Sequence, residues 1–423
     1  MERPLTQHIS AEHPAFHLRD YEKVGGYQSV HRALKTMTPQ EITKLVQDSG
    51  LKGRGGAGFN TGMKWSFVPM NDSTQTKYLI ANADEMEPGT FKDRLLLEGN
   101  PHQLIEGMIV SAFAIQASQS YIFLRWAYKK AERLIRQAID EAYAGGYLGE
   151  NILGSGFNLE MHLHTGVGRY MCGEETALLN ALEGKRATPR TKPPFPQVSG
   201  LFGKPTIVNN VETLCNIPHI INNGADWFMG LSVGADAGTK LYGVSGRVNK
   251  PGIWELPMGT TMRELLEQHA GGMQAGYQFR GALPGGASTD FLVVEHLDVK
   301  MDYVSVAAAG SRLGTGTMII LDDQTCPVGF VHNLEHFFAQ ESCGWCTPCR
   351  EGLPWTEKLL LSIEKGEGRL EDLELLEMHT QFLGPGHTFC ALAPGAMEPL
   401  QSGLKYFRAD FEQHINEKKC PWR

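Results

Sequence analysis

A chain of 423 residues is too long for one ordinary hydrophobic core, so two to four domains are expected. Its net charge of −8 argues against nucleic acid as the main partner, because phosphate binding needs a basic surface. Hydrophobic residues at 42% and charged residues at 20% describe a soluble globular protein, while 48 glycines and 22 prolines, above the average share of about 12%, predict extensive shaped loops.

The opening Met1-Glu2-Arg3-Pro4-Leu5-Thr6 is polar and lacks the basic and apolar regions of a secretory signal. Thr38-Pro39-Gln40-Glu41 is a capping box with proline at the first helical position, predicting a helix through Val46 that stops at Gly50. A glycine-rich loop follows, and then Lys77–Ala81 reads as a short strand ending in the polar cluster Asn82, Asp84, Glu85 and Glu87. A helix is expected from Leu104 to Ala117; it contains Glu106 and is too short to span a bilayer. A strand at Tyr121–Leu124, an amphipathic helix from Tyr128 to Ala144 and a strand alternating Phe157, Leu159, Met161 and Leu163 come next. Strands and helices alternating at this spacing predict an α/β fold with βαβ units and a largely parallel sheet.

After about Gly230 the pattern changes. Lys240–Val248 and Gly252–Leu256 read as a hairpin, Thr260/Thr261 cap a helix ending at Gly271-Gly272, and short strands are expected near Tyr277–Leu283 and Thr317–Leu321. This composition suggests a small module of the β-grasp (ubiquitin-like) type. From Pro327 helices dominate: Phe330, Leu334, Phe337 and Phe338 share a face, and Leu370–Phe382 and Leu400–Phe411 are amphipathic. A helical bundle carrying a cluster is expected to close the chain. The expected domains are 1–230, 231–324 and 325–423.

Cys343, Cys346 and Cys349 recur every three residues, and Cys390 stands further on before Ala391-Leu392-Ala393-Pro394. This spacing suits a [4Fe–4S] cube, which takes three thiolates from one tight loop and a fourth from elsewhere. Structural zinc more often shows two separated cysteine pairs. Eight cysteines without a secretory signal imply a reducing compartment, where thiolates serve metals, and a cytosolic or peripherally attached protein.

Gly53-Arg54-Gly55-Gly56-Ala57-Gly58 matches G-x-G-x-x-G, but a helix precedes it where the dinucleotide fingerprint requires a strand. Its glycines still allow backbone N–H groups close to a flat or anionic ligand, with Lys64 as a point charge and Phe59 and Phe67 as stacking rings; the bland reading is a surface loop. Asn82, Asp84 and Glu85 lie beyond a strand's carboxyl end, where ligands bind in open α/β sheets, or else form a solvated turn. Glu174 and Glu175, after Cys172-Gly173 and near Gly166 and Gly168, are either site residues or helix starters. Pro193-Pro194-Phe195-Pro196, flanked by Arg190 and Lys192, can hold Phe195 and a cation rigidly, and Asn209-Asn210 before Thr213 either cap a helix or reach a ligand. His332-Asn333-Leu334-Glu335-His336 spells the zinc-peptidase pattern H-x-x-E-H among aromatics and is read as a decoy. His162 and His164 share a strand face without a further ligand evident.

Six stretches in order carry a resemblance: Gly53–Trp65, Asn82–Arg94, Cys172–Gly184, Lys192–Pro196, Asn209–Thr213 and Glu341–Gly352. The chain resembles, over nearly its full length, the NADH-binding flavoprotein subunits of respiratory complex I, and departs from the family at none of these motif positions. The resemblance implies an atypical Rossmann-like domain binding FMN through Gly53, Gly55, Lys64, Asn82, Asp84, Glu85, Gly166, Gly173, Glu174, Asn209, Asn210 and Thr213. It implies NADH at Gly56, Gly58, Phe59, Phe67, Glu87, Glu175, Lys192 and Phe195, and a [4Fe–4S] cluster on Cys343, Cys346, Cys349 and Cys390. It further implies hydride transfer from NADH to FMN and single-electron delivery to the cluster, en route to quinone. The implied partners are a thioredoxin-like [2Fe–2S] subunit and a large iron–sulfur subunit, on the cytoplasmic face of a bacterial inner membrane. The rivals are a diaphorase subunit of an NAD-linked hydrogenase or formate dehydrogenase, and a non-catalytic cluster or zinc scaffold. Cys172, Cys215, Cys326 and Cys420 have no assigned role.

Overall fold

The computed structural model describes residues 2–10, 15–70 and 75–423, and the chain forms two units. The first runs to Met86 and adds Phe91–Leu241 and Glu255–Gly259; the second comprises Glu87–Thr90, Tyr242–Trp254 and Thr260–Arg423.

The first unit is built on four strands: β1 (Tyr78–Ala83), β2 (Gln119–Leu124), β3 (Glu160–Thr165) and β4 (Thr206–Asn210), in the order β3-β2-β1-β4. Every pairing is parallel, as the alternation of strands and helices predicts. Leu79, Ile80 and Ala81 of β1 are fully buried, which is why this strand reads as a continuous apolar run. The register sets Asn82 beside Asn210 and Ala81 beside Asn209, so three asparagines gather at the carboxyl ends of β1 and β4.

Helix Pro101–Ile115 follows β1 through helix Lys92–Gly99, and it begins earlier than Leu104 because Asn100 caps it and Pro101 takes its first turn. Its Glu106 is buried among apolar neighbours and accepts from Tyr21 Oη at 2.5 Å, Ser29 Oγ at 2.5 Å and Ser29 N at 3.1 Å. Burial pushes this carboxyl above its usual range, with those donors pulling against the shift. Gly107 faces helix Val211–Asn223 so closely that a Cβ would stand 2.1 Å from Leu214 O.

A second, five-stranded sheet has the order β6-β5-β9-β7-β8, formed by β5 (Thr239–Ser245), β6 (Gly252–Pro257), β7 (Phe279–Leu283), β8 (Leu292–Val293) and β9 (Thr317–Asp322). β5 and β9 run parallel, whereas β7 is antiparallel to both β8 and β9. Thr261 caps the expected helix and forms a capping box with Glu264, after which the helix widens into a π turn at Leu265–His269. Helices Pro327–Glu341, Thr347–Glu364, Leu370–Phe382, Leu392–Tyr406 and Arg408–Glu417 complete the second unit. Leu334, Phe338, Leu353, Leu360, Leu376, Leu400 and Phe411 are buried among them, while Phe330 and Phe337 are only partly covered. The helix expected over 400–411 is corrected to two, because Phe407 leaves helical geometry at φ −123° and ψ 20° and re-aims the chain. Among the described residues, no helix is long and apolar enough to cross a membrane.

Replacing Gly107 by Ala forces two backbones apart at the Pro101–Ile115 and Val211–Asn223 crossing. A loss of at least about 1–3 kcal/mol is expected in denaturant unfolding of the whole chain; an unchanged midpoint would contradict the close packing.

Candidate functional site

A cleft of about 950 Å³ opens at the carboxyl ends of β1 and β4. Helix Pro39–Asp48, not a strand, precedes the glycine loop, and the six-residue helix Thr61–Ser66 follows it, capped by Asn60. Phe59 O accepts from Gly53 N at 2.8 Å and ties the loop base, while Arg54 N donates to Thr213 Oγ1 at 2.8 Å. Gly56 and Gly58 adopt φ of +127° and +66°, and a Cβ on Gly55 would meet Asn210 at 3.1 Å. The loop is therefore a shaped concavity whose glycine wall carries no side chains.

Fourteen of the expected contact residues line this cleft: Gly53, Gly55, Gly58, Phe59, Lys64, Phe67, Asn82, Gly173, Glu175, Lys192, Phe195, Asn209, Asn210 and Thr213. Lys64 Nζ lies 2.8 Å from Glu175 Oε2 and 2.9 Å from Val208 O; Lys192 Nζ lies 3.0 Å from Glu175 Oε1 and 3.2 Å from Glu174 Oε1. Burial alone would raise the Glu175 carboxyl, but Lys64 and Lys192 outweigh it and hold the group below its usual range. Phe59, Phe67 and Phe195 are each about half exposed, which offers three apolar ring faces beside this charged row.

The remaining expected residues do not line the cleft. Glu174 caps helix Glu175–Leu182, its Oε2 accepting from Thr176 N and Ala177 N, both at 2.8 Å. Glu85 is buried at the start of helix Lys92–Gly99, accepting from Asp93 N at 2.9 Å, Arg94 N at 3.2 Å and Tyr128 Oη at 3.0 Å. Burial first, and Asp93 next, push its carboxyl up to about 7. Asp84 is buried beside Asn82, and Gly56 belongs to the loop without lining the cleft. Gly166 packs where a Cβ would meet the Phe123 ring at 2.8 Å. Glu87 belongs to the second unit, where its Oε1 accepts from Ser288 N at 2.7 Å. Asn82 both donates and accepts, giving Nδ2 to Gly173 O at 2.9 Å while its Oδ1 takes the Asp84 N–H at 3.2 Å.

Beneath the cleft lies a network that motif reading misses. Glu212 Oε2 is 2.8 Å from Lys92 Nζ and 2.6 Å from Lys240 Nζ, and its Oε1 accepts from Leu241 N at 2.9 Å. Asp93 Oδ1 pairs with Lys92 at 2.7 Å, and its Oδ2 accepts from Asn210 Nδ2 at 2.6 Å. Burial alone would raise the Glu212 carboxyl, yet Lys240, Lys92 and Arg54 hold it down at about 2. Burial pushes the Lys240 ammonium down to about 7, with Glu212 opposing and Lys92 adding to the shift. Arg54 is also buried, and its Nη2 donates to Ala237 O and Thr239 O. Lys92, Asp93 and Glu212 fall within quoted motifs, but nothing local marks Lys240 or the burial of Arg54.

In the second unit, Cys346 stands at the N-cap of helix Thr347–Glu364, Cys349 is in its first turn, and Cys390 precedes helix Leu392–Tyr406. Burial pushes the Cys349 thiol up to about 12, and Cys346, Cys390 and Cys343 each add to that shift. The other three thiols are thus near enough for each to disfavour ionisation of Cys349, a cost that a cationic iron core would reverse. The H-x-x-E-H pair forms no metal-ligand group among the described residues; His332 and His336 both face Glu357 across the next helix. His162 meets Gln119 and His164 stacks on Phe123, both ordinary packing.

The model for the Nuo51 FMN-binding domain matches residues 46–219, that for the NADH-ubiquinone oxidoreductase-F iron-sulfur binding region residues 329–414, and that for the SLBB domain residues 241–292. The F subunit of NADH-quinone oxidoreductase from Salmonella typhimurium is 57% identical over 414 residues, covering 98% of this chain and 93% of the relative. The chain belongs to the family of NADH-quinone oxidoreductase F subunits. The Escherichia coli member shows the same identity and coverage, and that of Streptomyces coelicolor is 48% identical over 419 residues, covering 99% and 92%. An NAD+-reducing [NiFe]-hydrogenase in its H2-reduced state superimposes with a TM-score of 0.82 at 33% identity, covering 96% of this chain and 68% of that one. The much higher identity to the quinone oxidoreductase members favours complex I over a hydrogenase diaphorase. The chain is an oxidoreductase with an FMN-binding domain and a [4Fe–4S] region, and it carries electrons from NADH to the cluster.

Glu212→Gln leaves two buried ammonium groups without their shared counter-charge. A loss of about 3–5 kcal/mol is expected, together with weaker flavin retention, read as free-flavin fluorescence after gel filtration. Wild-type stability in this variant would show that the lysines find other partners.

Proposed function

We propose that the cleft at β1 and β4 is where NADH meets FMN, and that the row Lys64–Glu175–Lys192 beside three exposed phenylalanines carries this reading. The glycine concavity suits a flat, anionic ligand: it bares backbone N–H groups and brings no Cβ against the ring. Lys64 and Lys192 supply cations for phosphates, and Glu175, kept ionised by both, supplies an acceptor for hydroxyl or amine groups. FMN held there would supply the conversion of a two-electron hydride into single electrons, which is what a cluster requires. The side chains need move no proton; they stack, orient and exclude water.

Among the proposed flavin residues, Gly53, Gly55, Lys64, Asn82, Gly173, Asn209, Asn210 and Thr213 are the direct contacts favoured by their place on the cleft wall. Glu174, Glu85, Asp84 and Gly166 are read as braces, since the first two cap helices and the last two are packed. Gly58, Phe59, Phe67, Glu175, Lys192 and Phe195 are proposed for NADH, with Gly56 and Glu87 in the same role by family resemblance. Cys343, Cys346, Cys349 and Cys390 are proposed as the cluster ligands, supported by their place within the iron-sulfur binding region at 329–414 and by the electrostatic influence of the other three on Cys349.

The domain limits 1–230, 231–324 and 325–423 gain support from three family matches that fall one within each. The middle segment is read as a β-grasp, supported by its mixed sheet with the parallel pair β5–β9 inside it. A thioredoxin-like [2Fe–2S] subunit and a large iron–sulfur subunit are the proposed partners, on the cytoplasmic face of the inner membrane, with quinone as the eventual acceptor.

Anaerobic addition of NADH to the purified chain is expected to bleach flavin absorbance and produce the paramagnetic signal of a reduced cluster. A preparation that holds flavin yet does not respond to NADH overturns the reading. Glu175→Gln is expected to lower kcat/KM for NADH about tenfold or more, since a charge-assisted hydrogen bond is worth about 1.5–3 kcal/mol, with the flavin-to-protein ratio unchanged. Unaltered kinetics would remove Glu175 from the nucleotide site.

A further inference from the structure

Four of the eight cysteines belong to the proposed cluster site, and two more, Cys172 and Cys215, are wholly buried. The remaining two, Cys326 and Cys420, are far apart in sequence but meet at one place, together with Glu364 and His414. One ligand atom from each of the four lies within 4.8 Å of every other. Cys326 Sγ is 3.3 Å from Glu364 Oε2 and 3.3 Å from His414 Nε2, and those two atoms are 3.5 Å apart. A zinc tetrahedron with bonds of about 2.0–2.3 Å has edges of about 3.3–3.8 Å. Three such edges are already present before any ion is considered.

The surroundings also match what ligation requires. His414 Nδ1 lies 2.6 Å from Asp410 O, the contact that puts a ring proton on Nδ1 and turns Nε2 toward the other three groups. Trp422 stacks on the His414 ring with centroids 5.7 Å apart. Gly329 N donates to Cys326 Sγ at 3.2 Å at the start of helix Pro327–Glu341. His414, Glu364 and Cys420 are buried, and Cys326 is partly so. The turn bearing Cys420 is held in register by Gly366, where a Cβ would stand 2.1 Å from Lys418 C.

We propose that Cys326, Glu364, His414 and Cys420 form a closed, structural zinc site, separate from the iron–sulfur ligands. It ties together the start of helix Pro327–Glu341, the end of helix Thr347–Glu364, helix Arg408–Glu417 and the turn after it. Two sulfurs, one nitrogen and one oxygen in a four-coordinate set suit zinc, and four protein ligands leave no open position for catalysis. Binding expels the thiol protons of both cysteines and leaves His414 neutral. Three negative ligand charges then face two positive charges on the metal, and Arg423 Nη2, 3.2 Å from Glu364 Oε1, offsets the remainder.

Metal analysis of the full-length protein, purified from zinc-supplemented cells, tests this. About one zinc ion per chain is expected beside the iron. Cys420→Ala is expected to lose the zinc, keep the iron unchanged and melt several degrees lower; cobalt(II) added to metal-stripped wild type should give tetrahedral thiolate bands that Cys420→Ala lacks. Zinc-free wild type whose melting temperature ignores added zinc overturns the proposal in favour of a plain His414–Glu364 ion pair. Zinc retained by Cys420→Ala assigns it to other cysteines and likewise overturns the proposal, as does a zinc-free mass short by two hydrogens, the mark of a Cys326–Cys420 disulfide.

Discussion

Glu212 is the group on which the cleft depends. Its fully buried carboxylate binds two lysines through one oxygen and the Leu241 N–H through the other. Lys92 passes the constraint to Asp93, and Asp93 holds Asn210, a residue of the cleft wall. Thr213, one residue beyond Glu212, accepts from Arg54 N and so pins the glycine loop. One buried carboxylate therefore couples a strand end, a helix start and a loop that are far apart in sequence. A buried pair is costly to assemble and costlier to break. Its worth here is geometric: a loop with four glycines among six residues has little intrinsic shape, and the network supplies it.

The cleft separates two kinds of work. Its floor is held by carbonyls, amides and caps that are already satisfied inside the protein, such as Asn82 to Gly173 and Trp65 to Asn209. Its rim, by contrast, carries charges that neutralise one another, Lys64 and Lys192 both turning to Glu175. On the proposed reading, an arriving dinucleotide would exchange those ion pairs for its own phosphates and hydroxyls, leaving no bare charge at any stage. The carboxylate also shields the two ammonium groups from each other's repulsion and fixes where a phosphate has to settle.

Much of this was legible in the sequence, because its signals were local. The capping box at Thr38/Glu41 formed as read, and Thr261 caps the helix expected there. The parallel sheet followed from the spacing of apolar runs, and the helix ahead of Gly53 correctly excluded an ordinary dinucleotide fingerprint. What escaped was non-local. Strand order β3-β2-β1-β4 and the meeting of Lys92 with Lys240 depend on the closing of the sheet, which no short pattern encodes. Glu85 and Glu174 each accept at a helix start, and because a helix cap and a ligand contact use the same acceptor chemistry, the sequence leaves both roles open. The break at Phe407 was hidden because the apolar face continues across it, although the helix axis does not.

The cysteines show the same division between pattern and space. Cys343, Cys346 and Cys349 declare themselves by spacing, since a cube needs three thiolates from one tight turn. Cys326 and Cys420 declare nothing, because each contributes a single ligand at an element's edge and the rest comes from Glu364 and His414. Ligand chemistry keeps the two sets apart. Four thiolates around a small volume favour a sulfide-bridged iron core, whereas two thiolates with an imidazole and a carboxylate offer too few sulfurs for one and suit a lone borderline-soft cation. The thiols around Cys349 and the hydrogen-bonded order around His414 would thus be two answers to one problem, holding sulfur anions in a protein interior once a positive centre is bound.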